Sequence, residues 1–360
     1  EDIDEVVNVG VIGCGNWGRN YVRNFAQIPG ARLVTCCDIN NKTLLAIRER
    51  YRLVKLTKNY RDIASDPKID AVVIATPPGN HYAIARACLL RGKHVLVEKP
   101  FTLSSEEGYQ LVDIGEKTDK VLMVGHIMDY HPGMRLVKKY IRSGELGKIF
   151  YLHSTRTSLG TVREDVSVLW DKAPHDIASL LYLLDEEPVS VAATGQAFVN
   201  EGVEDVVFVT VRFASGIIAN IHVSWLDPCK ASRTTIIGEK KMIVFDDGEA
   251  LGKVKVYSKG VNSKRDLIRK RENAKALGNG TENGGDASNG LEALNGFSEF
   301  QYTFTYGDVY IPKLKMSEPL RNECLHFLEC IREGKRPLTD ATSGARVVHV
   351  LEKTEESLSR

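Results

Sequence analysis

The sequence predicts an α/β protein, with a doubly wound parallel sheet followed by an α+β domain that has a large open antiparallel sheet. Over the first 125 residues, short apolar runs alternate with helical patterns, as in parallel sheets whose strands are buried on both faces. After about residue 145, strand patterns follow one another with few helices between them, which indicates antiparallel pairing. We therefore expect two domains, over residues 1–125 and 126–360, with the C-terminal helices packing back on the first.

Each element of the first part has a local signal. The run Val6–Ile12 is apolar throughout, and Trp17–Ile28 has helical periodicity that ends at a Pro-Gly pair. Asn40 is of the type that caps helix N-termini. Further strands are predicted at Leu33–Cys37, Ala71–Ala75, His94–Val97 and Val121–Val124, and further helices at Asn40–Tyr51, His81–Leu90 and Ser104–Glu116.

Strand patterns dominate the second part. One strong helical pattern, around His175, interrupts the first two strands, and two helices at Glu318–Glu333 and Ser343–Leu358 close the chain. Residues 262–299 include a polar, glycine-rich run, which predicts a mobile insertion. The predicted strands are Ile149–Thr157, Val189–Ala197, Val206–Phe213, Ile217–Trp225, Thr234–Ile237 and Lys241–Phe245.

Composition argues against several classes of function. The 360 residues include 48 basic and 47 acidic residues, and a net charge of +1 disfavours a nucleic-acid or membrane-surface protein. No run of about 18 apolar residues predicts a membrane span. Seven cysteines without a C-x-x-C pair favour reduced thiols over a disulfide framework or a zinc site. The acidic first residues do not resemble a signal peptide, so we expect a cytoplasmic protein.

A glycine-rich turn, GCGNWG, follows the first strand and opens the first helix. Gly13 permits a tight turn, Gly15 lets the backbone approach a pyrophosphate, and Gly18 lets the helix pack on the strand. Asp38 ends the second strand 20 residues after Gly18, where a carboxylate binds the ribose hydroxyls of NAD and opposes the extra phosphate of NADP. The pattern predicts a Rossmann-type site that favours NAD over NADP. Its candidate cofactor contacts are Gly13, Gly15, Asn16, Trp17, Gly18 and Asp38.

The segments after the other parallel strands should reach the same crevice, because ligands of open sheets bind beyond the carboxyl ends of the strands. TPPGNH follows the strand at Ala71–Ala75, EKP follows the strand at His94–Val97, and His126 follows the last strand of the first part. His81 has the alternative role of an ordinary residue in the first turn of a helix. The further candidate cofactor contacts are Thr76, Pro77, Pro78, His81, Glu98 and Lys99.

The segment VLWDKAPHDIASLLYLL, residues 168–184, places Asp171, His175 and Asp176 within six positions. Its apolar residues recur at helical spacing, and Pro174 suits the first turn of such a helix. Asp176 is then explained by the helix N-terminus, which favours negative charge. His175 points away from the apolar stripe, which favours a role in a site over a place in the core.

The segments GCGNWG, ATPPGNHYAIARACLLRGKHVLVEKP and WDKAPHDI together resemble the Gfo/Idh/MocA family of NAD(P)-dependent oxidoreductases over almost the whole chain. Within that family, YIP followed by EPLRNECLHFLECIREGKRPLTDATSGARVVHVLE is similar to dehydrogenases that oxidise the 3-hydroxyl of a UDP-linked N-acetylated sugar or its uronate. The resemblance implies a second domain whose open antiparallel sheet forms the interface of a homo-oligomer, a dimer or tetramer. The insertion at 262–299 is longer than the family pattern.

By position, the resemblance implies catalytic roles for Lys99, from E-K-P, and for Asp171 and His175, from D-x-x-x-H. His175 is the expected general base, because the reference pKa of histidine lies near neutral pH. Asp171 would orient its imidazole, and Lys99 would stabilise negative charge on the reacting oxygen. Asp171 and His175 could instead suggest a metal pair, but no third ligand has suitable spacing, so we expect no metal.

Substrate contacts are expected beside this cluster. Arg156 and Arg163 suit the phosphate oxygens of a nucleotide sugar, with an ordinary surface role as the alternative, and Tyr130 follows the last strand of the first part. Two other functions stay open: a dehydrogenase of a free sugar or inositol, and a non-catalytic NAD-binding regulator, which the presence of both Lys99 and His175 disfavours. The candidate substrate contacts are Lys99, Tyr130, Arg156, Arg163, Asp171 and His175.

Overall fold

The computed structural model describes residues 6–160, 162–164, 166–263 and 302–359. Its first sheet consists of six parallel strands, which confirms the predicted doubly wound fold. These strands are β1 (Val7–Ile12), β2 (Ala31–Cys37), β3 (Lys55–Thr57), β4 (Ala71–Ile74), β5 (His94–Val97) and β6 (Leu122–Val124).

The strands lie in the order β3-β2-β1-β4-β5-β6, so the chain reverses its direction across the sheet between β3 and β4. Ligands of open parallel sheets bind beside such a switch point, beyond the carboxyl ends of the strands. Every residue of β4 is buried, as expected for a central strand with helices on both faces. The helices of this region are α1 (Gly18–Phe25), α2 (Asn41–Arg50), α3 (Tyr60–Ser65), α4 (His81–Leu89) and α5 (Ser105–Thr118).

The sequence pattern missed the shortest elements of this region. Strand β3 has 3 residues and helix α3 has 6, so neither is long enough to show a hydrophobic period. The predicted helix Trp17–Ile28 is also too long, because the chain leaves the helix after Phe25 and continues as a turn. The side chain of Asn40 accepts the N–H of Lys42 and caps α2 as predicted.

The second sheet has eight strands and begins at Ile149. A two-stranded sheet lies beside it, formed by β14 (Gly260–Ser263) and β15 (Tyr302–Thr305). The eight strands are β7 (Ile149–Leu159), β8 (Pro188–Gln196), β9 (Val206–Phe213), β10 (Ile218–Ser224), β11 (Leu226–Gly238), β12 (Met242–Asp246), β13 (Val254–Tyr257) and β16 (Val309–Tyr310).

This sheet is mostly antiparallel, which confirms the predicted open antiparallel sheet, and it contains one parallel pair of strands. Its order is β16-β13-β12-β11-β7-β10-β9-β8, and the central strands β7 and β10 run parallel. They can do so because the chain between them crosses one face of the sheet as a helix and returns through β8 and β9. The helices of the second part are α6 (Pro132–Arg142), α7 (Val168–Leu184), α8 (Pro319–Glu333) and α9 (Ala341–Leu358).

The last two helices return to the first sheet. Helix α8 lies against α1, where Arg23 forms an ion pair with Glu318, and α9 packs on α5.

The predicted domain boundary at residue 125 and the cytoplasmic location stay predictions. Most of the predicted insertion, residues 264–299, lies outside the described residues. No helix in the described part of the chain is both long and apolar enough to cross a membrane.

Candidate active site

The glycine turn after β1 is shaped for close approach of a ligand. Gly13 has a φ of 82°, and a Cβ there would lie 2.5 Å from the carbonyl oxygen of Ala75. A Cβ at Gly18 would lie 1.9 Å from the carbonyl oxygen of Gly13, so neither position accepts a larger residue without a backbone shift. A Cβ at Gly15 would meet nothing within 4 Å, which leaves an open cradle for phosphate in front of helix α1.

Asp38 is fixed beside this turn by two backbone donors. Its Oδ2 accepts the N–H of Cys14 and its Oδ1 accepts the N–H of Asn40, both at 2.8 Å. The neighbouring residues Asn16 and Trp17 are exposed at the mouth of the turn. The open cradle and the anchored carboxylate fit the diphosphate and the ribose hydroxyls of NAD.

The segment after β5 brings a carboxylate and an ammonium group into the crevice. Glu98 is buried, and its Oε1 accepts the hydroxyl of Tyr21 at 2.8 Å while its Oε2 accepts the N–H of Lys99 at 2.9 Å. Lys99 Nζ donates to the carbonyl oxygen of Asp171 at 2.6 Å, which joins this segment to helix α7. Burial lowers the pKa of Lys99, against the opposing effect of the Asp171 and Glu98 carboxylates.

Helix α7 begins at Val168, earlier than its apolar pattern predicts, so Pro174 lies inside the helix rather than in its first turn. Proline has no N–H to donate to the carbonyl of Trp170, and its ring crowds the preceding turn. The carbonyl of Asp171 lies in that same turn and accepts Lys99 Nζ. We infer that the proline loosens the helix where the lysine needs an acceptor.

His175 faces the cleft from this helix. Its side chain is half-buried, and Nδ1 is fully buried with no hydrogen-bond partner among the described residues. The pKa of His175 lies well below its ordinary 6.5, because of burial and then because of the charges of Lys99 and Arg156. The imidazole is therefore neutral at neutral pH and can accept a proton.

The expected hydrogen bond from Asp171 to this imidazole is absent, which corrects the predicted role of Asp171. Asp171 Oδ2 accepts Trp225 Nε1 at 3.1 Å, and Oδ1 lies 3.6 Å from Arg163 Nη1. The carboxylate is thus turned toward the second sheet, while His175 Nδ1 has no partner in the described chain. Asp171 contributes its backbone carbonyl to Lys99 and its side chain to the anchoring of Arg163.

Asp176 was predicted to mark the helix start, and this is wrong. Its side chain is 2% exposed, in the interior of α7, and it accepts Arg156 Nε at 2.7 Å and Ser154 Oγ at 2.6 Å. Arg156 Nη1 also donates to Ser232 at 3.1 Å. The guanidinium of Arg156 is therefore engaged in joining α7 to β7, which argues against the predicted substrate contact.

Two other predicted contacts lie inside the protein. Tyr130 is fully buried, with its hydroxyl 3.1 Å from Thr339 Oγ1, so it cannot reach a substrate. His81 is also fully buried, and its ring nitrogens lie 2.9 Å from the carbonyl oxygen of Pro100 and 2.8 Å from that of Thr76. His81 holds the segments after β4 and β5 together, which corrects its predicted contact with the cofactor.

Unpartnered polar atoms mark where a ligand can bind. Among the described residues, Thr76 Oγ1 and both ring nitrogens of His126 are buried without a partner, as is His175 Nδ1. Buried polar atoms normally have partners, so this cluster indicates groups that hydrogen bond to something bound. Burial, followed by the charge of Lys99, lowers the pKa of His126 to about 4. The sequence placed His126 in the crevice by its position after β6 but did not give it a role.

Two other features of the described chain bear on the chemistry. Lys172 Nζ donates to Ser158 Oγ at 2.8 Å, which adds a second cation beside Asp171. Within the described residues, no group of three or more His, Cys, Asp or Glu side chains could hold a metal ion, and the seven cysteines are free thiols.

Comparison with known proteins places this geometry among redox enzymes. Residues 7–126 match a model described as an oxidoreductase family with an NAD-binding Rossmann fold, and residues 134–244 match the GFO/IDH/MocA C-terminal domain. The chain is 32% identical over 241 residues to a UDP-N-acetylglucosamine 3-dehydrogenase of Acidithiobacillus ferrooxidans, covering 67% of this chain and 74% of that relative. It is 27% identical to a myo-inositol 2-dehydrogenase of Thermotoga maritima, covering 60% of this chain and 67% of that relative.

A solved structure extends the likeness to the whole fold. An oxidoreductase from Magnetospirillum magnetotacticum superposes with a TM-score of 0.76 at 26% identity, covering 97% of this chain and 99% of that one.

Proposed function

Because this chain belongs to the Gfo/Idh/MocA family of NAD-binding oxidoreductases, we propose that it is an NAD-dependent sugar dehydrogenase. The proposed substrate is a UDP-linked N-acetylated hexose or hexuronate, whose 3-hydroxyl is oxidised to a ketone with formation of NADH. The observation that carries the proposal is the 2.6 Å contact between Lys99 Nζ and the carbonyl oxygen of Asp171, because it joins the lysine to the helix that bears His175.

The roles of the two side chains follow from their charge states. NAD, when bound, supplies the acceptor for the hydride that leaves the carbinol carbon. His175 accepts the hydroxyl proton, because its lowered pKa keeps the imidazole neutral. Lys99 has two further N–H donors besides the one on Asp171, and these stabilise negative charge on the reacting oxygen.

Phosphate recognition is assigned to Arg163 and Lys172. Both lie beside Asp171, and Arg163 is 38% exposed, so its guanidinium can reach a ligand in the cleft. The guanidinium of Arg156 is engaged by Asp176, which is why the phosphate role moves to the other two cations. A nucleotide diphosphate carries the oxygens that such cations bind, and a free sugar or inositol does not.

A panel of substrates tests the proposal. Wild type is assayed for NADH absorbance with UDP-N-acetylglucosamine, its uronate, free N-acetylglucosamine and myo-inositol. We expect turnover of a UDP-sugar only, and a large decrease of its rate in Lys99→Met. Turnover of myo-inositol instead would favour the second candidate, which the inositol dehydrogenase relative supports. NAD binding without turnover of any of these compounds would favour the regulator.

The phosphate assignment has its own control. Arg163→Gln and Lys172→Gln should each raise KM for the UDP-sugar by about tenfold, which corresponds to the loss of one charge-assisted hydrogen bond. Lys117→Gln removes the same charge from an exposed position on α5 and should leave KM unchanged. Equal KM values in all three variants would remove the argument for a diphosphate.

We also propose that the chain forms a homo-oligomer through the eight-stranded sheet. On the face opposite α7, Tyr151 and Phe208 are 45% and 52% exposed, and Phe208 stacks on His222 at 4.3 Å. Alternate residues of β9, such as Val207 and Val209, are buried on the other face. Sedimentation should give the mass of a dimer or tetramer, and Phe208→Glu should lower it. A monomeric wild type would contradict this proposal.

A further inference from the structure

A buried chain of three polar side chains connects helix α8 to the cofactor crevice. The hydroxyl oxygen of Tyr21, on α1, lies 2.8 Å from Glu98 Oε1 and 3.0 Å from Glu323 Oε2. Tyr21 and Glu323 are fully buried, and Glu98 is 8% exposed. Two carboxyl groups from distant parts of the chain therefore meet at one phenol, away from water.

The number of protons available limits how these three side chains can hydrogen bond to one another. A phenol has one O–H proton, so it can donate to only one of the two carboxylates. If both were ionised, the other would face a lone pair of Tyr21 at 2.8 or 3.0 Å with no proton between them. A buried contact of that kind is strongly unfavourable, so one of the two carboxyl groups carries a proton.

The surroundings indicate that Glu323 is the protonated one. Burial raises the pKa of Glu98, but the hydrogen bond from Tyr21, the positive charge of Lys99 and the N–H of Lys99 oppose this rise and favour the ionised form of Glu98. Glu323 Oε1 is buried with no partner among the described residues. Burial, followed by the negative charge of Glu98, raises the pKa of Glu323 well above its ordinary value.

The direction of the hydrogen bonds follows. Glu323 donates its proton to the Tyr21 oxygen, and the Tyr21 hydroxyl then donates to the Glu98 carboxylate. A Cβ at position 125 would lie 3.0 Å from the Tyr21 hydroxyl and 3.4 Å from Glu98, so Gly125 leaves room for the chain. Glu98 is thereby fixed by donors on both of its oxygens, next to Lys99.

We propose that Glu323 is a positioning residue of the NAD site. It acts through Tyr21: Glu323 donates a hydrogen bond to the Tyr21 oxygen and thereby directs the Tyr21 hydroxyl onto Glu98. The inference rests on NAD binding by the Rossmann domain and not on the choice of sugar. It also gives α8 a role in the cofactor site, although Glu323 and Tyr21 are 302 positions apart in sequence. The sequence offered no local signal for this pairing.

Calorimetric titration of the full-length protein with NAD, without any sugar, tests the proposal. Glu323→Gln keeps a neutral N–H donor, so its Kd for NAD should lie within about twofold of the wild-type value. Glu323→Met removes the donor and should raise the Kd of NAD by about three- to tenfold. Tyr21→Phe should weaken it by at least as much. In the Tyr21→Phe background, Glu323→Met should add no further loss, because Glu323 acts only through the phenol.

Infrared difference spectroscopy checks the proton itself. The wild type minus Glu323→Gln spectrum at neutral pH should contain the carbonyl stretching band of a protonated carboxylic acid. Absence of that band, or equal and additive losses of NAD affinity from Glu323→Met and Tyr21→Phe, overturns the proposal. Because NAD binding is measured alone, these outcomes are independent of whether a UDP-sugar turns over. Thermal unfolding of each variant confirms that it is folded.

Discussion

The two walls of the cleft are positioned in different ways. The strand-end wall consists of the residues that follow β4, β5 and β6, and strand pairing fixes where each strand stops, with Val97 beside both Ile74 and Val124. The helix wall is α7, whose rotation about its own axis is set by distant contacts such as that of Asp176 with Arg156. One wall is therefore fixed by backbone register, and the other by a buried ion pair and a proline.

This difference explains which side chains are available for chemistry. On the helix wall, Asp171 and Asp176 both accept hydrogen bonds from the second part of the chain, whereas His175 Nδ1 is buried without a partner among the described residues. On the strand-end wall, Glu98 is occupied on both oxygens, while Thr76 Oγ1 has no partner in the described chain. Each wall combines anchored carboxylates with unpartnered groups, and the latter are the ones we expect to act.

The largest expected effect comes from the unpartnered group of the helix wall. His175→Gln should lower kcat by about 10²–10⁴-fold, the usual contribution of a positioned general base, with little change in the affinity for NAD. Steady-state kinetics and calorimetry measure the two quantities. His349→Gln, on the exposed face of α9, is the matched control. A kcat within a few-fold of wild type would show that His175 is not the base.

The pH dependence of kcat/KM sharpens the same point. Because the pKa of His175 is lowered by burial and by Lys99, the acid limb of wild type should lie below pH 6.5. Lys99→Met removes a positive charge that opposes protonation of the imidazole. The acid limb of the residual activity should therefore lie at a higher pH than that of wild type. An acid limb at the same pH in both proteins would show that the charge of Lys99 does not influence protonation of His175.

The next largest effect tests the anchor of the helix wall. Arg156→Met leaves Asp176 buried without its ion-pair partner and should lower the free energy of unfolding by about 3–5 kcal/mol. Denaturant unfolding measures it. Asp176→Asn added to that variant should recover part of the loss, because no charge is then buried alone. If Arg156 also contacted the substrate, the double variant would regain stability while KM stayed high.

The strand-end wall was predictable from the sequence, and the helix wall only in part. Short apolar strands and the residues after them are local signals, and they placed Thr76, Lys99 and His126 correctly at one edge of the first sheet. The role of Asp176 depends on Ser154 and Arg156, about 20 positions away, and no local pattern carries such a pairing. Tertiary contacts therefore determine the surroundings of Asp176, which hydrophobic periodicity does not encode.

A smaller effect should follow from closing the loosened turn of the helix wall. Pro174→Ala restores an N–H that can bond to the Trp170 carbonyl, and the tightened turn should withdraw the Asp171 carbonyl from Lys99. We expect kcat to fall by about tenfold, comparable to one lost hydrogen bond, while the unfolding midpoint rises. A more stable variant with unchanged kcat would show that the contact between Lys99 and Asp171 does not matter for turnover.

The smallest effect concerns the base of the strand-end wall, just after His126. Asp129 is buried with Oδ1 unpartnered in the described chain, and burial raises its pKa to about 8 from an ordinary 3.8. Between these values the folded protein holds a proton that the unfolded chain releases, so this residue's contribution to stability is complete below the lower value and is lost as pH rises to the upper one. Asp129→Asn removes this dependence. Its unfolding free energy relative to wild type should therefore rise by roughly 1–2 kcal/mol between about pH 5 and about pH 6. A difference in urea unfolding that stays constant over this range would show that Asp129 does not titrate between these two pKa values in the way proposed.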